Sequence, residues 1–534
     1  MSEGKTTAAE RDEGLFRLAL SAAVAGSLAS LLNLLLYHRY PLLTPEVAMV
    51  TCVLLAASLA FAAVTSKVRF AVQALLAGLL VFLLADWAAD EWKVAAAIGV
   101  VAAIAYFRMG KGLFRFLATA AVVIGLTSLF GLTERRDPAT VTTRKVPAPD
   151  LARPLIVHII LDEQEGLRGM AAMDGAPGLA HEVDRRLRGA GFTTFANAHV
   201  RYHLSVNSMP SMLNFGLPDS GHGDSPDGGA TGPARYLARL SDQGYPVHFV
   251  QSSYIDFCSD NPVASCRTYW RDDLAGLREV DLDATSRARA ILVSIGRSMR
   301  SVLYTAALWD VYAVGRWKLV DASHRIQLVN RGDAGAINSL LELQRLQARI
   351  EAEGRPGEAY VAHLLLPHFP FALGRDCRVL PFGEWRISWK RHAVAERQRA
   401  YGEQVRCVMT QIERLYAAAR RVAGDDVVMI VHGDHGSRIG RRLPSGGVRR
   451  ASEQEKLHNF STLFAVALPG QEPARREEIV AVETLLDRLS ATRFASLEVV
   501  ESETGATIED KRANGARLDA TSLDWTLEGT AASE

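Results

Sequence analysis

The sequence predicts an α-helical membrane domain of about five spans, followed by an α/β domain with a mostly parallel central sheet. Three observations carry that reading. The first 132 of 534 residues are packed with long apolar runs, shorter apolar runs alternate with helical patterns further on, and acids or histidines stand at the ends of those shorter runs.

The long runs are Leu15 to Tyr37, Val47 to Val64, Phe70 to Trp87, Trp92 to Phe107 and Phe116 to Leu132. Each approaches the roughly 20 residues that a helix needs to cross a bilayer. Lys and Arg in short loops stay on the cytoplasmic side. Lys5, Arg11 and Arg17 open the first run, Lys67 and Arg69 follow the second, and Arg108, Lys111 and Arg115 follow the fourth. Five crossings with the N-terminus inside deliver everything after Leu132 to the outside. The first run is too long for a cleaved signal peptide, so it is expected to remain as an anchor. These features imply a multi-pass membrane protein with its C-terminal domain outside.

Lys and Arg number 60 against 59 Asp and Glu, a balance that gives no reason to expect nucleic acid. Cys52 lies in a span, which leaves Cys258, Cys266, Cys377 and Cys407 in the exported part. Four cysteines in an oxidising compartment allow three pairings. Cys258 with Cys266 and Cys377 with Cys407 are favoured, with free thiols as the alternative.

Pro138, Pro147, Pro149 and Pro154 punctuate a polar stretch, so 133–153 reads as a linker between a membrane domain at 1–132 and a catalytic domain at 154–534. Leu155 to Leu161, interrupted only by His158, has the continuous apolar character of a strand buried on both faces. Tyr360 to Leu366, Asp426 to Val431 and Leu463 to Leu468 are similar, and Arg399 to Val422 reads as a helix between them. Strands alternating with helices imply an α/β sandwich. Ser286 to Trp317 is apolar enough to suggest a sixth span. Arg297 and Arg300 in its middle argue instead for an amphipathic helix on the membrane or packed on the domain. Asp219 to Gly232 reads as a mobile loop.

In an open α/β sheet, ligands bind beyond the carboxyl ends of the strands. Asp162 and Glu163 follow Ile159-Ile160-Leu161, and Asp434-His435 sits in His-Gly-Asp-His-Gly after Val427 to Val431. Carboxylate and imidazole together suit a divalent metal, Zn or Mn. His363 stands inside an apolar run and His368 just past its end. Ser205 lies in Leu204-Ser205-Val206-Asn207-Ser208-Met209-Pro210, where a helix start and a nearby cation would both acidify a hydroxyl. Each of these has a plain structural reading too: solvated acids, a polar turn, core histidines, an N-cap serine.

Taken in order, these pieces resemble the alkaline phosphatase/sulfatase superfamily, in its branch of membrane-anchored phosphoethanolamine and phosphoglycerol transferases. That branch includes lipid A phosphoethanolamine transferases and lipoteichoic acid synthases. The likeness covers about Pro154 to Gly470 and implies a sulfatase-like fold. It also implies that the membrane is the bacterial inner (plasma) membrane and the outside the periplasm. It makes Asp162, Ser205, Asp434 and His435 metal ligands and Ser205 the nucleophile. His363 and His368 would hold phosphate oxygens or protonate the leaving group.

The chain departs from the branch's pattern in three places: serine where threonine is usual, Ser437 where an acid often follows Asp-His-Gly, and Asp162 where Glu is common. Ser208-Met209-Pro210-Ser211 can also be laid on the sulfatase pattern, which would make Ser208 the reactive residue. Met212 stands where sulfatases normally require Arg, and Ser205 is preferred. Glu163 is a further possible ligand, and His458 a possible additional active-site histidine. Arg438, Arg441, Arg442, Arg449 and Arg450 would hold anionic lipid head groups.

The implied activity is metal-dependent transfer of a phospholipid-derived head group, phosphoethanolamine or phosphoglycerol, to an envelope glycan or lipid through a phospho-serine. The partners would be a phospholipid donor, that acceptor and the membrane itself. Alternatives are a membrane-anchored sulfatase or phosphodiesterase, or a non-catalytic envelope sensor that retains the fold.

Overall fold

The computed structural model describes residues 8–88, 92–130, 140–143, 148–216, 233–295, 334–385, 393–439, 452–497, 506–508 and 521–523. The chain forms two compact units. Met1–Asp137, Leu277–Gly332 and Pro381–Gly383 make the first, and Pro138–Gly276, Asp333–Leu380 and Glu384–Glu534 the second.

The first unit opens with five helices: α1 (Ala8–Tyr37), α2 (Pro45–Lys67), α3 (Phe70–Ala88), α4 (Trp92–Met109) and α5 (Gly112–Leu129). Thr44 caps α2 by accepting from the Val47 N–H, with Pro45 in the first turn, where its missing N–H costs nothing. Small residues line the interior, among them Ala19, Ala22, Ala62, Ala74 and Ala77, while Leu59, Val100, Val101 and Ile104 face outward. At Gly78 on α3 an added Cβ would lie 2.7 Å from the Gly99 carbonyl oxygen on α4, so only glycine permits that approach.

Five crossings are expected from the sequence. Among the described residues two helices, Asp12–Tyr37 and Pro45–Lys67, are long and apolar enough to cross a membrane. The other three are helical where expected, but their apolar stretches, Phe70–Val81, Ala97–Met109 and Gly112–Thr127, are shorter.

The second unit holds β1 (Thr140–Thr143), β2 (Leu155–Leu161), α6 (Leu167–Ala171), α7 (Leu179–Gly189), β3 (Thr193–His199), α8 (Ser205–Leu213), α9 (Arg235–Asp242), β4 (Val247–Ser252) and β5 (Ser265–Tyr269). Helix α10 (Ala284–Ile295) belongs to the first unit. The second unit resumes with α11 (Gly335–Glu353), β6 (Ala359–Leu364), α12 (Val394–Ala423), β7 (Val427–Gly433), α13 (Glu453–Phe460), β8 (Phe464–Ala467), β9 (Arg475–Ala481) and α14 (Val482–Ala491). A small hairpin pairs β10 (Ala506–Ile508) with β11 (Thr521–Leu523).

Strands β1 to β9 form one sheet in the order β1-β5-β4-β6-β2-β7-β8-β3-β9. The run β5-β4-β6-β2-β7 is parallel throughout. Strands β2, β6 and β7 are buried along their whole length, as their uninterrupted apolar sequences require. The expected strand at Leu463 to Leu468 forms as β8 but runs antiparallel to both β7 and β3. Within the expected linker, Thr140–Thr143 pairs antiparallel with β5 as the sheet's edge strand.

Disulfides join Cys258 to Cys266 and Cys377 to Cys407, with Cα separations of 5.9 and 4.8 Å. Of the segment Ser286 to Trp317, the structure describes the part within α10; its remainder lies outside the described residues, as does the expected loop at Asp219 to Gly232.

A candidate metal centre at the strand ends

Register brings the site together. Ile160 on β2 lies opposite His363 on β6 and His432 on β7, and Leu161 lies opposite Leu364 and Gly433. One residue further, the Asp162 N–H donates to the Leu364 carbonyl at 2.9 Å and the Asp434 N–H to the Leu161 carbonyl at 3.0 Å. Two neighbouring parallel strands therefore release a carboxylate each at the same level, one beside the other.

The imidazoles close around them. His435 Nε2 lies 3.5 Å from Asp162 Oδ1 and 3.6 Å from Asp434 Oδ2, and His363 Nε2 lies 3.9 Å from Asp434 Oδ2. Donor atoms of Asp162, His363 and Asp434 all fall within 4.8 Å of one another. Ser205 opens α8, and its Oγ lies 3.2 Å from His435 Nε2. Because His435 Nδ1–H donates to the Gly436 carbonyl at 2.8 Å, Nε2 keeps its lone pair toward the cluster. All five side chains are buried.

Such a cluster is costly unless a cation completes it. Asp162 Oδ1, Asp434 Oδ2 and both ring nitrogens of His363 are buried without a hydrogen-bond partner among the described residues. Each orphaned polar atom costs about 1–3 kcal/mol, more when charged. Burial and the adjacent Asp434 push Asp162 well above the ordinary carboxylate range. Burial would raise Asp434 as well, but His435 and His363 hold it low. Two carboxylates, two imidazoles and a hydroxyl fit one borderline divalent ion.

The other sequence-selected residues have distinct partners. Glu163, at φ 63°, donates its N–H to Asp434 Oδ1 at 3.0 Å, while its Oε1 accepts from Arg438 Nε at 2.8 Å. Its carboxylate thus serves a buried guanidinium and not the donor cluster. Arg438 was expected among residues holding lipid head groups; it is instead paired inside the site. Arg441, Arg442, Arg449 and Arg450 lie outside the described residues. His368, partly exposed, donates from Nδ1 to the Phe369 carbonyl at 2.6 Å, and its Nε2 lies 3.7 Å from Glu163 Oε1. Ser208 Oγ donates to the Asp434 carbonyl, which braces the turn carrying that acid. One turn on, Ser211 donates to the buried Glu483 at 2.9 Å, fixing α8 from its other side.

His458 donates from Nδ1 to Glu165, whose other oxygen accepts from Ser437. Burial opposes charge on His458, but the Glu165 carboxylate prevails and raises its pKa. Tyr401 on α12 bridges the two acidic positions, donating to the Glu163 carbonyl at 2.8 Å and accepting from the Glu165 N–H at 2.9 Å. Below the cluster, the His158 and His432 rings lie 4.9 Å apart at a tilt of 53°, and burial pushes His432 down to about 4. Sequence reading missed Glu165, Tyr401, His432 and the Glu163–Arg438 pair. The Asp162-Glu163-Gln164-Glu165 run was the one local signal, since three acids packed at a buried strand's end require partners.

No protein-family model matches the chain, and no curated protein matches its sequence. Solved structures do resemble it. The C-terminal periplasmic domain of EcEptC from Escherichia coli, in complex with Zn, is 12% identical, covering 74% of this chain and 98% of that one at a TM-score of 0.41. The phosphonate monoester hydrolase of Agrobacterium radiobacter is 14% identical, covering 67% and 81% at a TM-score of 0.39. A protein in the alkaline phosphatase superfamily from Vibrio parahaemolyticus is 12% identical, covering 66% and 68% at a TM-score of 0.35. At these identities and TM-scores the likeness is loose, and the functional reading rests on the geometry of the site.

Proposed function

We propose that the chain is a membrane-anchored, metal-dependent phosphotransferase that moves a phospholipid head group onto an envelope glycan or lipid through Ser205. The observation that carries this reading is the Ser205 hydroxyl, 3.2 Å from His435 Nε2 and beside two buried carboxylates, each with one oxygen that has no hydrogen-bond partner among the described residues.

Asp162, Asp434, His435 and Ser205 would hold one Zn or Mn ion, with His363 as a further donor. That ion, when bound, would supply the positive charge that acidifies a serine hydroxyl and neutralises phosphoryl oxygens. The remaining work falls to the chain. Ser205, at the positive end of α8, would release its proton to solvent, and its oxygen would form the bond to phosphorus as the bond to diacylglycerol oxygen breaks. His368, partly exposed and with Nε2 3.7 Å from Glu163 Oε1, would in its protonated form give the Nε2 proton to that leaving oxygen. His363, buried and aimed at Asp434, is better suited to the ion than to the substrate. Arg438, fixed by Glu163, adds permanent positive charge beside the phosphoryl group. An acceptor hydroxyl then attacks the phospho-serine and returns a proton to His368. The long apolar helices keep this site in reach of a lipid donor.

Phospholipid carrying an isotopic label in its head group tests the reaction class. Label recovered in an envelope glycan or lipid supports transfer, whereas label released only as a free phosphorylated head group would mean hydrolysis and overturn it.

A further inference from the structure

We infer that Gln404, buried on α12, is a positioning residue that sets where His368 presents its Nε2 to the leaving oxygen. The inference rests on the reading of His368 as the proton donor. Helix α12 supplies none of the residues proposed to react, yet one of its faces is both polar and buried. Gln398, Tyr401 and Gln404 follow one another at three-residue spacing, which puts them on one side of the helix, and they are 3%, 0% and 0% exposed. Burying a polar side chain costs free energy unless its hydrogen bonds are made. All three direct theirs to the backbone of loops around the site. Gln398 accepts from the Gly175 N–H at 2.8 Å, and Tyr401 bridges the Glu163 carbonyl and the Glu165 N–H. Gln404 takes the loop 367–373, which carries His368.

The Gln404 amide is used to its full capacity. Its Nε2 donates to the Pro367 and His368 carbonyls, each at 3.0 Å, and its Oε1 accepts from the Ala372 and Leu373 N–H groups at 2.9 and 3.1 Å. Those bonds occupy both donors and both lone pairs of a carboxamide. An apolar side chain would be cheaper to bury but would take a partner from each of those backbone groups. One turn further along α12, Cys407 is bonded to Cys377, so the same stretch of chain is tethered to the same helix again just beyond the loop.

The His368 ring has little freedom of its own. Its Nδ1 donates to the Phe369 carbonyl at 2.6 Å, and its face lies against the Phe369 ring, with centroids 4.1 Å apart at 26°. The imidazole therefore goes where the backbone of residues 368 and 369 goes, and Gln404 holds that backbone at the His368 carbonyl. Tyr401, one turn back on α12, holds the Glu163 carbonyl. His368 Nε2 and Glu163 Oε1, which face each other at 3.7 Å, are thus fixed from adjacent turns of one helix. Proton transfer depends on such fixing, since a displacement of about 1 Å at a reacting group costs on the order of a hundred-fold in rate.

The test compares two donors on the full-length, metal-loaded protein. One is the phospholipid that the wild type cleaves, phosphatidylethanolamine or phosphatidylglycerol; the other is the p-nitrophenyl ester of the same phosphorylated head group. A p-nitrophenolate leaves without needing a proton, so cleavage of the ester reports the fold and the rest of the site. Gln404→Met is expected to lower kcat on the phospholipid on the order of a hundred-fold, with KM little changed, and to keep the ester's rate within about threefold of wild type. Gln404→Glu, which keeps an acceptor for Ala372 and Leu373 but loses the two N–H donors, should show the same split. Gln398→Met removes the same kind of bond from the loop at Gly175 and is the control: its two rates should keep the wild-type ratio. His368→Ala should reproduce the split, and adding Gln404→Met to it should cost the phospholipid rate nothing more, because Gln404 acts through His368. Equal losses on both donors in both Gln404 variants, or a further loss in the double variant, would overturn the inference. Wild-type protein that cleaves neither donor would overturn the reading beneath it, and the inference with it.

Discussion

Ser205→Ala is expected to lower transfer on the order of ten-thousand-fold, about 5 kcal/mol of transition-state stabilisation, while leaving the protein folded. The size of the effect follows from losing the reacting atom itself, the hydroxyl that lies 3.2 Å from His435 Nε2. Ser208 is the informative control. Its Oγ is spent on the Asp434 carbonyl and its side chain is fully buried. Ser208→Ala should therefore cost about 1 kcal/mol of stability and a modest loss of rate through the turn that carries Asp434. Steady-state rates with a head-group-labelled donor, read alongside thermal midpoints, separate the two. Equal losses in both variants, or a larger loss in Ser208→Ala, would move the nucleophile to Ser208.

Chelation is expected to produce the second largest change, and its pH dependence has a definite sign. Without the ion, burial and Asp434 raise the pKa of Asp162. A raised carboxyl binds its proton more readily in the native state than in the unfolded one. That contribution to stability is fully present below the unfolded value, near 3.9, and is lost as pH rises through the native value. The ion takes the proton's place. Its stabilising effect should therefore grow as pH rises through that window, reaching about 4 kcal/mol at an ion concentration of 1,000 times Kd. Scanning calorimetry with and without chelator at pH 5 and pH 8 checks this: the gap in midpoint should be wider at pH 8. A midpoint unchanged by chelation at both values would remove the metal from the account.

How much of this could be read from the sequence depended on whether the signal was local. Strands β2, β6 and β7 announced themselves because burial on both faces forces continuous apolar runs, and Asp162 and Asp434 were placed by being the next residues after two of them. Strand β9, Arg-Arg-Glu-Glu-Ile-Val-Ala, was illegible because an edge strand carries charge where it meets solvent. Strand β3, Thr-Thr-Phe-Ala-Asn-Ala-His, is too polar to stand out although it is nearly all buried.

The direction of β8 was hidden as well, since an apolar run does not say which way it will pair. The supporting contacts of the site were harder still. Glu163 and Arg438 are 275 residues apart, and Glu165 and Ser437 are 272 apart, so nothing short of the folded sheet brings them together. Chain order alone made Arg438 look like one of a group of surface cations. The fold makes it the buried partner of an acid that had itself looked like a spare ligand.

The most direct measurement is the mass of the active-site peptide after the metal-loaded protein has been mixed with phospholipid and quenched. A phosphorylated head group on the peptide spanning Ser205, fragmenting to that residue and missing after chelation, is the result this account predicts. Modification on Ser208, or turnover with an unmodified Ser205 throughout, would contradict it.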